Sequence, residues 1–283
     1  MASAALFWFF LTPDQQALKT LHWTWILALF ARNCVAVFLF YGAFELRLYI
    51  RRRQGNRFKF NPKFPGDGKS DVFVFRSQNR DTILRSFGSG VPIWTACEVL
   101  VLWAFANGCV PMATLTQNPW WLLGIVLLLP FFHEIHFFCI HRLIHVPFLY
   151  KWVHSVHHNS SNPSPWSSLS MHPIEHLLYF LGGLIHLVIL SQPLLAIYHL
   201  HYAGFGAVVG HVGFAKIETG EDSAVDTHAF APYLHHKYFE VNYADGLIPL
   251  DRWFGSWHDS TAAGEARMDA RMAKKRARLN KAS

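Results

Sequence analysis

Histidine is unusually frequent in this chain, which contains 18 histidines in 283 residues. Three closely spaced groups stand out, namely His141 with His145, His154 with His157 and His158, and His235 with His236. A neutral imidazole is the commonest metal ligand in proteins. Residues three or four positions apart share one face of a helix, so this spacing predicts imidazoles that converge. They are too many for one metal ion and predict two.

The alternative for a histidine on an apolar helix is an ordinary core residue, and we interpret His186, His199 and His201 in this way. For the clustered histidines this alternative is costly, because burying several uncoordinated imidazoles together removes their hydration. Structural zinc sites favour cysteine or mixed ligands. A set made only of imidazoles favours two iron ions, with zinc as a possible substitute, because imidazole suits both metals. Iron with open positions activates O2, which suits a substrate whose C–H bonds offer no acid–base handle.

The composition is that of a membrane protein. Hydrophobic residues make up 52% of the chain and charged residues only 15%, whereas about a quarter of residues are charged in soluble domains. A spanning helix needs about 20 mostly apolar residues, and four regions meet this need: 23–49, 91–113, 120–140 and 177–214. The last could form a hairpin bent near 191–193. We predict an all-α fold, an integral membrane bundle of about four transmembrane helices with a cytosolic histidine-rich cap.

The charge pattern predicts the orientation of the bundle. The net charge is +7, and the basic residues cluster beside the apolar regions. No basic motif is interleaved with aromatic residues, so anionic lipid headgroups explain the charge better than nucleic acid. Basic loops stay in the cytosol, and residues 114–119 and 191–193 contain no Lys or Arg. All three histidine groups then face the cytosol, at an endoplasmic reticulum membrane or a bacterial inner membrane.

We expect three segments along the chain. Residues 1–22 form an N-terminal interfacial segment, because their apolar stretch lacks the basic start and cleavage site of a signal peptide. Residues 23–259 form the membrane-embedded domain, with the histidine motifs between 133 and 259. Residues 260–283 form a basic tail that contacts lipid headgroups, and docking of an acidic redox partner is the alternative.

The histidine motifs resemble those of the fatty acid hydroxylase/sterol desaturase superfamily. The resemblance rests on the segments His141-Arg-Leu-Ile-His145, His154-Ser-Val-His157-His158, Leu234-His235-His236 and Pro249-Leu-Asp251-Arg-Trp-Phe-Gly255. It is strongest over residues 131–259. It implies a non-haem diiron membrane oxygenase that hydroxylates or desaturates a lipid, either a sterol or a fatty acyl chain. Its partners would be O2 and an electron donor such as a cytochrome b5-like or ferredoxin-type protein.

The resemblance also implies a set of metal ligands, which are His141, His145, His154, His157, His158, His211, His235 and His236. One position departs from the family pattern, because the third motif has Pro232 where its first histidine belongs, and proline cannot bind a metal. His228, one turn earlier, is a candidate substitute. Otherwise that metal has an altered set of ligands, or the protein is a degenerate, non-catalytic relative that binds lipid or metal. A metal transporter is disfavoured, because ionisable residues such as Arg32 and Glu98 are isolated and do not line successive spans.

Further residues near the motifs could bind metal or support the ligands. His172, His176, Glu175 and Asn242 are candidates for either role, and the two histidines could instead form part of a substrate gate. Glu175 and Asp251 could orient imidazoles through a free ring nitrogen, and a surface salt bridge is the alternative for Asp251. His133 and His136, in the third predicted span, could also face the metal centre. We identify no catalytic residue beyond the metal centre. The sequence does not decide whether the substrate is a sterol or a fatty acyl chain, or whether the reaction is hydroxylation or desaturation.

Overall fold

The structure, a computed structural model, describes residues 1–65 and 68–282. The α-helices are α1 (Ala2–Phe10), α2 (Trp23–Phe44), α3 (Gln78–Arg85), α4 (Val91–Ala106), α5 (Pro119–Ile144), α6 (Pro147–Leu149), α7 (Ser155–His158), α8 (Pro173–Phe180), α9 (Pro193–His211), α10 (Phe230–Tyr238), α11 (Leu250–Trp253) and α12 (Ala262–Ala282). The strands β1 (Lys216–Glu218) and β2 (Ala224–Asp226) form an antiparallel hairpin with Lys216 opposite Asp226. The fold is therefore almost entirely helical, as predicted.

Short turns of other helical types join or extend these elements. Single π-helical turns extend α2 (Glu45–Ile50), connect α3 to α4 (Ser86–Gly90) and precede α7 (Tyr150–His154). Turns of 3-10 helix occur at Ala17–Lys19, Val74–Arg76, Pro165–Leu169 and Leu181–Leu187. The π-helical turns lengthen α2 to Ile50 and join α3 and α4 into one continuous helical segment.

Three helical segments are long and apolar enough to cross a membrane: Trp23–Ile50, Gln78–Ala106 and Pro119–Ile144. In the first and third, only 22% and 28% of the most apolar stretch is buried, whereas 61% is buried in the second. The second segment therefore lies inside the bundle. The other two expose apolar side chains such as Phe38 and Leu128, as contact with lipid requires. The predicted helical membrane bundle is confirmed.

The region predicted as a membrane hairpin, 177–214, is divided differently. Helix α8 ends at Phe180 and is followed by the 3-10 turn Leu181–Leu187. Helix α9 begins at Pro193, where proline is favoured because the first helical residue needs no N–H partner. Within the described chain, three segments rather than four are long and apolar enough to span a membrane.

The second span differs from its predicted bounds of 91–113. It begins earlier because the polar helix α3 continues into α4, and the Arg85 guanidinium lies 2.8 Å from the Asp81 carboxylate one turn before it. It ends earlier because Gly108 adopts a φ of +65° just after the helix, a conformation that terminates helices and favours glycine.

Two charges within the first and second spans pair with each other. A guanidinium nitrogen of Arg32 lies 2.5 Å from Oε1 of Glu98, and the Asn33 amide donates a hydrogen bond to Oε2 at 2.9 Å. Ionisable groups in a membrane are tolerated when they are paired within the bundle. This network joins α2 to α4 and accounts for both charges.

Helix α9 crosses the middle of the bundle and ends in the cap. Gly204 allows this, because a Cβ atom at that position would lie 2.3 Å from Cζ3 of the buried Trp94 ring on α4. The Gly204 carbonyl also accepts a hydrogen bond from the Tyr41 hydroxyl on α2 at 2.5 Å. The close packing of these helices fixes the position of His211, the last residue of α9.

Three successive spans place one end of each helix on the same side. Ile50, Gln78 and Ile144 lie at these ends, so the cap that follows α5 sits beside the segment joining the first two spans. Hydrogen bonds cross between them, including one from Gln78 to the Asn162 carbonyl at 2.9 Å. This connectivity places the three histidine groups on one side of the bundle, as predicted. That this side faces the cytosol stays a prediction.

The two predicted terminal segments are also helical. In the N-terminal segment, Phe7 of α1 packs edge-on against the His201 ring of α9, with 4.6 Å between ring centroids. Most of the predicted basic tail forms α12, which begins at Ala262, and Ser283 lies outside the described residues.

Candidate metal centre

The histidines of the cap form two separate groups. The first contains His141, His145, His154, His158 and His235, and the second contains His157, His211 and His236. In each group one nitrogen from every ring lies within 4.8 Å of the corresponding nitrogens of the others. The cap therefore brings together all eight residues predicted as ligands.

The first group has the separations expected around a metal ion. The Nε2 atom of His158 lies close to three other Nε2 atoms, at 3.0 Å from His235, 3.1 Å from His154 and 3.3 Å from His145. An imidazole nitrogen carries either one hydrogen or one lone pair, so His158 can satisfy only one of these neighbours by a hydrogen bond. Nitrogens bonded to one ion at about 2.0–2.1 Å are separated by about 2.8–3.4 Å in octahedral or tetrahedral geometry. The donor set fits a metal ion.

Elements that are distant in sequence position this group. His141 lies in the last turn of α5, which extends to Ile144 rather than the predicted 140, and His145 directly follows the helix. His154 ends the π-helical turn before α7, and His158 ends α7. His235 comes from α10. Helical spacing brings each local pair together, and packing of the cap joins the pairs.

Hydrogen bonds to the opposite nitrogen orient three of the rings. The Nδ1 atom of His141 lies 2.7 Å from the Tyr243 carbonyl, and that of His235 lies 2.6 Å from the Val241 carbonyl. A carbonyl only accepts, so both Nδ1 atoms carry the hydrogen and leave Nε2 free to bind a metal. Such partners commonly fix the tautomer of ligand histidines.

Glu175 has the same role for His154. Its Oε1 atom lies 2.8 Å from His154 Nδ1, and both side chains are buried. The prediction named Glu175 as a group that could orient an imidazole, and the structure places it in that position. Burial raises the pKa of the Glu175 carboxyl well above its usual value. A cation bound nearby would oppose this shift and favour the ionised carboxylate.

The loop that supplies the two carbonyls is held by polar side chains. Asp251 accepts hydrogen bonds from the backbone N–H groups of Tyr243 and Ala244 at 2.9 and 2.8 Å. Asn242 donates to the His258 carbonyl and accepts from the His258 N–H. Both residues therefore act on the backbone of the loop rather than on an imidazole. No residue pattern indicated a role for the carbonyls of Val241 and Tyr243.

The second group has three imidazoles whose ring centroids are close together. His157 lies 4.6 Å from His236 and 5.3 Å from His211, and His211 lies 5.2 Å from His236. Pro232 lies one turn before His236 on α10, and it lines a cavity that these three histidines also line. His228, the candidate substitute, is exposed, adopts a φ of +56° and belongs to neither group.

Other predicted histidines have local partners instead. His172 accepts a hydrogen bond from the Ile174 N–H at the start of α8. The ring nitrogens of His176 lie 3.1 Å from Ser89 Oγ and 3.2 Å from the Leu169 carbonyl. His133 and His136 lie deeper in α5 and belong to neither group.

The environment of the cap keeps its imidazoles neutral. Burial, followed by the repulsion of neighbouring imidazolium charges, lowers the pKa of five ring groups well below the usual value: His154, His157, His158, His235 and His236. A neutral imidazole has the lone pair that a metal needs. The electrostatics therefore favour metal binding near neutral pH.

A cavity of about 530 Å³ opens onto both groups. Its metal-facing wall includes His141 and His154 of the first group and all three histidines of the second. Apolar residues such as Phe137, Met171 and Val209 form much of the remaining wall. Glu134, which was not predicted as a site residue, also lines the cavity. An ionisable residue within an apolar span was the available signal.

Comparison with known proteins places this centre in a family. The family described as fatty acid hydroxylase matches residues 126–256, which include all eight histidines. Similar proteins include a Delta(7)-sterol 5(6)-desaturase of Aspergillus fumigatus, 28% identical over 49% of this chain and 49% of that protein. A fatty acid hydroxylase of Mycosarcoma maydis is 26% identical over 46% of this chain and 34% of that protein.

A third relative extends the range of reactions. It is a very-long-chain aldehyde decarbonylase of Arabidopsis thaliana, 30% identical over 51% of this chain and 26% of that protein. The chain thus spans about half or less of the length of these three relatives. No solved structure matches the chain. The family match, the named relatives and the paired histidine groups agree in supporting the fatty acid hydroxylase/sterol desaturase superfamily for residues 126–256.

Proposed function

We propose that this protein is a membrane diiron oxidoreductase that uses O2 to hydroxylate or desaturate a lipid. The observation that supports this most is the cavity of about 530 Å³ that opens onto both histidine groups. A lipid chain in this cavity would lie beside both ions. The relatives named above are a sterol desaturase, a fatty acid hydroxylase and an aldehyde decarbonylase, so lipid oxidation is the shared chemistry.

The eight histidines would hold the two ions, with five imidazoles for one and three for the other. When bound, iron would supply the O2-dependent redox chemistry that removes hydrogen from an unactivated C–H bond. The protein contributes the fixed ring orientations provided by Glu175 and by the carbonyls of Val241 and Tyr243. It also contributes a buried, largely apolar chamber that limits access of water.

The unequal groups bear on the alternative of a non-catalytic relative. Pro232 removes one imidazole from the second group, but three histidines with open positions are sufficient in other catalytic metal sites. The three-histidine group faces the cavity, where open positions would be useful. This favours an active enzyme over a protein that only binds lipid or metal.

The proposed reaction requires partners that the chain must receive from outside. These are O2, a lipid and an electron donor such as a cytochrome b5-like or ferredoxin-type protein. We propose that the donor reaches the histidine cap from the cytosol, at an endoplasmic reticulum or bacterial inner membrane. In this arrangement residues 23–259 form the catalytic unit between an interfacial N-terminal segment and a basic tail.

The test combines metal analysis with lipid profiling. Wild-type protein should contain two iron ions per chain and should yield a hydroxylated or desaturated lipid only with O2 and a reductant. His157→Ala should lower the iron content towards one and abolish the product. The control is His172→Asn, which keeps a side-chain acceptor at the start of α8. The proposal fails if wild-type protein binds no iron, or if His157→Ala leaves lipid oxidation unchanged.

A further inference from the structure

One part of the cavity wall, about two helical turns before His141 along α5, is polar. His133 and Glu134 reach it from α5, Tyr202 from α9 and Asp245 from the loop after α10. The rings of His133 and Tyr202 are 5.2 Å apart between centroids. Glu134 precedes His141 by seven residues, which corresponds to about 10 Å along a helix. A group bound at this wall would therefore lie roughly 10 Å from the metal centre.

The loop after α10 borders the cavity at this wall. The Gly246 N–H donates a hydrogen bond to Oε1 of the buried Glu134 at 2.9 Å. The neighbouring residues Asp245 and Leu247 are exposed and line the cavity. Glu134 thus anchors a segment of the rim, and Asp245 lies at the opening that this segment forms.

The charges at this wall select against anions. None of the described residues that line the cavity is Lys or Arg, whereas Glu134 and Asp245 bring two carboxyl groups. A lipid carboxylate or phosphate placed here would meet like charge without a cation to balance it, which is unfavourable in a partly desolvated site.

The same wall can satisfy a hydroxyl. The His133 side chain is 3% exposed, and its Nδ1 atom has no hydrogen-bond partner among the described residues. A hydroxyl group both donates and accepts hydrogen bonds. It could donate to the Asp245 carboxylate and accept from the Tyr202 hydroxyl or from His133. A buried polar group without a partner is costly, so a ligand that supplies one is favoured.

We propose that this wall binds the polar end of the substrate and that this end is an uncharged hydroxyl, not a carboxylate or phosphate. The proposal rests on the proposed function, since it takes the cavity to hold the lipid that is oxidised. The hydroxyl could belong to a sterol or to a long-chain alcohol, which offer the same chemistry. In either case the oxidised carbon lies at a distance from the hydroxyl and not beside it.

Binding to the metal-loaded full chain in lipid nanodiscs tests the proposal. Two series of labelled probes differ only at the polar end: hexadecanol, hexadecyl sulfate and hexadecane, and cholesterol, cholesteryl sulfate and cholestane. Measurements at pH 8.5 keep Asp245 ionised, and binding to empty nanodiscs is subtracted. We expect the hydroxylated probe of at least one series to bind ten-fold or more tightly than its sulfate and its hydrocarbon. The series that shows this preference identifies the hydrophobic part of the ligand as a sterol ring system or a linear chain. The proposal is overturned if neither does.

A charge reversal provides the matched control. Asp245→Lys should invert the preference, so that the sulfate probe gains ten-fold or more relative to the alcohol. Asp222→Lys makes the same change of charge on the exposed turn between β1 and β2 and should leave the preference unchanged. If both variants behave alike, the wall does not select the polar end.

The outcome is separable from that of the proposed function, because binding requires no turnover. A protein that binds the alcohol but oxidises no lipid would contradict the proposed function alone. A protein that oxidises lipids but prefers the sulfate probes would contradict this proposal alone.

Discussion

The contact between Glu175 and His154 offers the sharpest test of the metal centre. Oε1 of Glu175 lies 2.8 Å from Nδ1 of His154, and the two side chains are 3% and 1% exposed. The His154 ring directs its other nitrogen, Nε2, into the first histidine group, 3.1 Å from His158 Nε2. Changing Glu175 would therefore alter one proposed metal ligand without removing it.

The size of the effect follows from the hydrogen bond that changes. A metal ion bound by His154 would favour the ionised form of Glu175. Glu175→Gln then keeps an oxygen acceptor but removes that charge, and charge-assisted hydrogen bonds are roughly twice as strong as neutral ones. The loss is about 1–1.5 kcal/mol, which corresponds to a roughly 5- to 13-fold weaker affinity for the metal. Glu175→Ala removes the acceptor altogether. Loss of such a partner typically costs about 10- to 100-fold in metal affinity.

Competition titrations of Fe²⁺ against a chelator measure both metal affinities of each variant. Only one of the two affinities should fall, in the order wild type, Glu175→Gln, Glu175→Ala. Glu221→Gln, an exposed change of the same type on the turn between β1 and β2, is the control and should match wild type. If Glu175→Ala retains wild-type affinity at both sites, His154 is not a ligand held by this carboxylate.

Three further predictions concern the second metal, acid stability and helix packing. Pro232→His adds an imidazole one turn before His236, so the weaker metal affinity should rise about ten-fold in the same titration; an unchanged affinity would show that position 232 does not reach the ion. The neutral imidazoles of the cap have pKa values below those of the unfolded chain, so the metal-free protein should be most stable above pH 6.5. Each such imidazole should cost about 1.4 kcal/mol per pH unit below that value, and a melting temperature that stays constant from pH 7.5 to 5.5 would contradict this. Gly204→Ala places a Cβ atom against the Trp94 ring and should destabilise the protein by about 1–3 kcal/mol. Gly206→Ala, with no atom within 4 Å of the new Cβ, should not, and equal melting temperatures would refute the packing argument.

The sequence predicted which histidines lie close together but not how they are distributed between the two groups. Periodicity within each short motif correctly brought the ligand candidates into one cap. The neighbours His157 and His158 nevertheless belong to different groups, and so do His235 and His236. Adjacent helical residues point about 100° apart, so one turns towards each group. Which way each helix faces depends on packing between distant segments, and no local pattern encodes that.

The membrane spans show the same limit. Their existence followed from hydropathy, because about 20 apolar residues are hard to place elsewhere. The polar start of the second span, Gln78–Arg85, was missed because its charged residues resemble a loop. Glu134 was missed because a single charge within a long apolar run is easily overlooked. Both are stabilised by tertiary contacts, Gln78 by the cap and Glu134 by Gly246.

The loop that closes with Asn242 and His258 has a consequence for how the protein is made. His235 and His141 are oriented by carbonyls of this loop, and the loop is tied at its far end by the two hydrogen bonds between Asn242 and His258. A ribosome-bound chain that has not yet released this part cannot hold either ring in place. We therefore expect the proposed metal centre to be loaded only after the spans have been inserted and the chain has left the ribosome as far as His258.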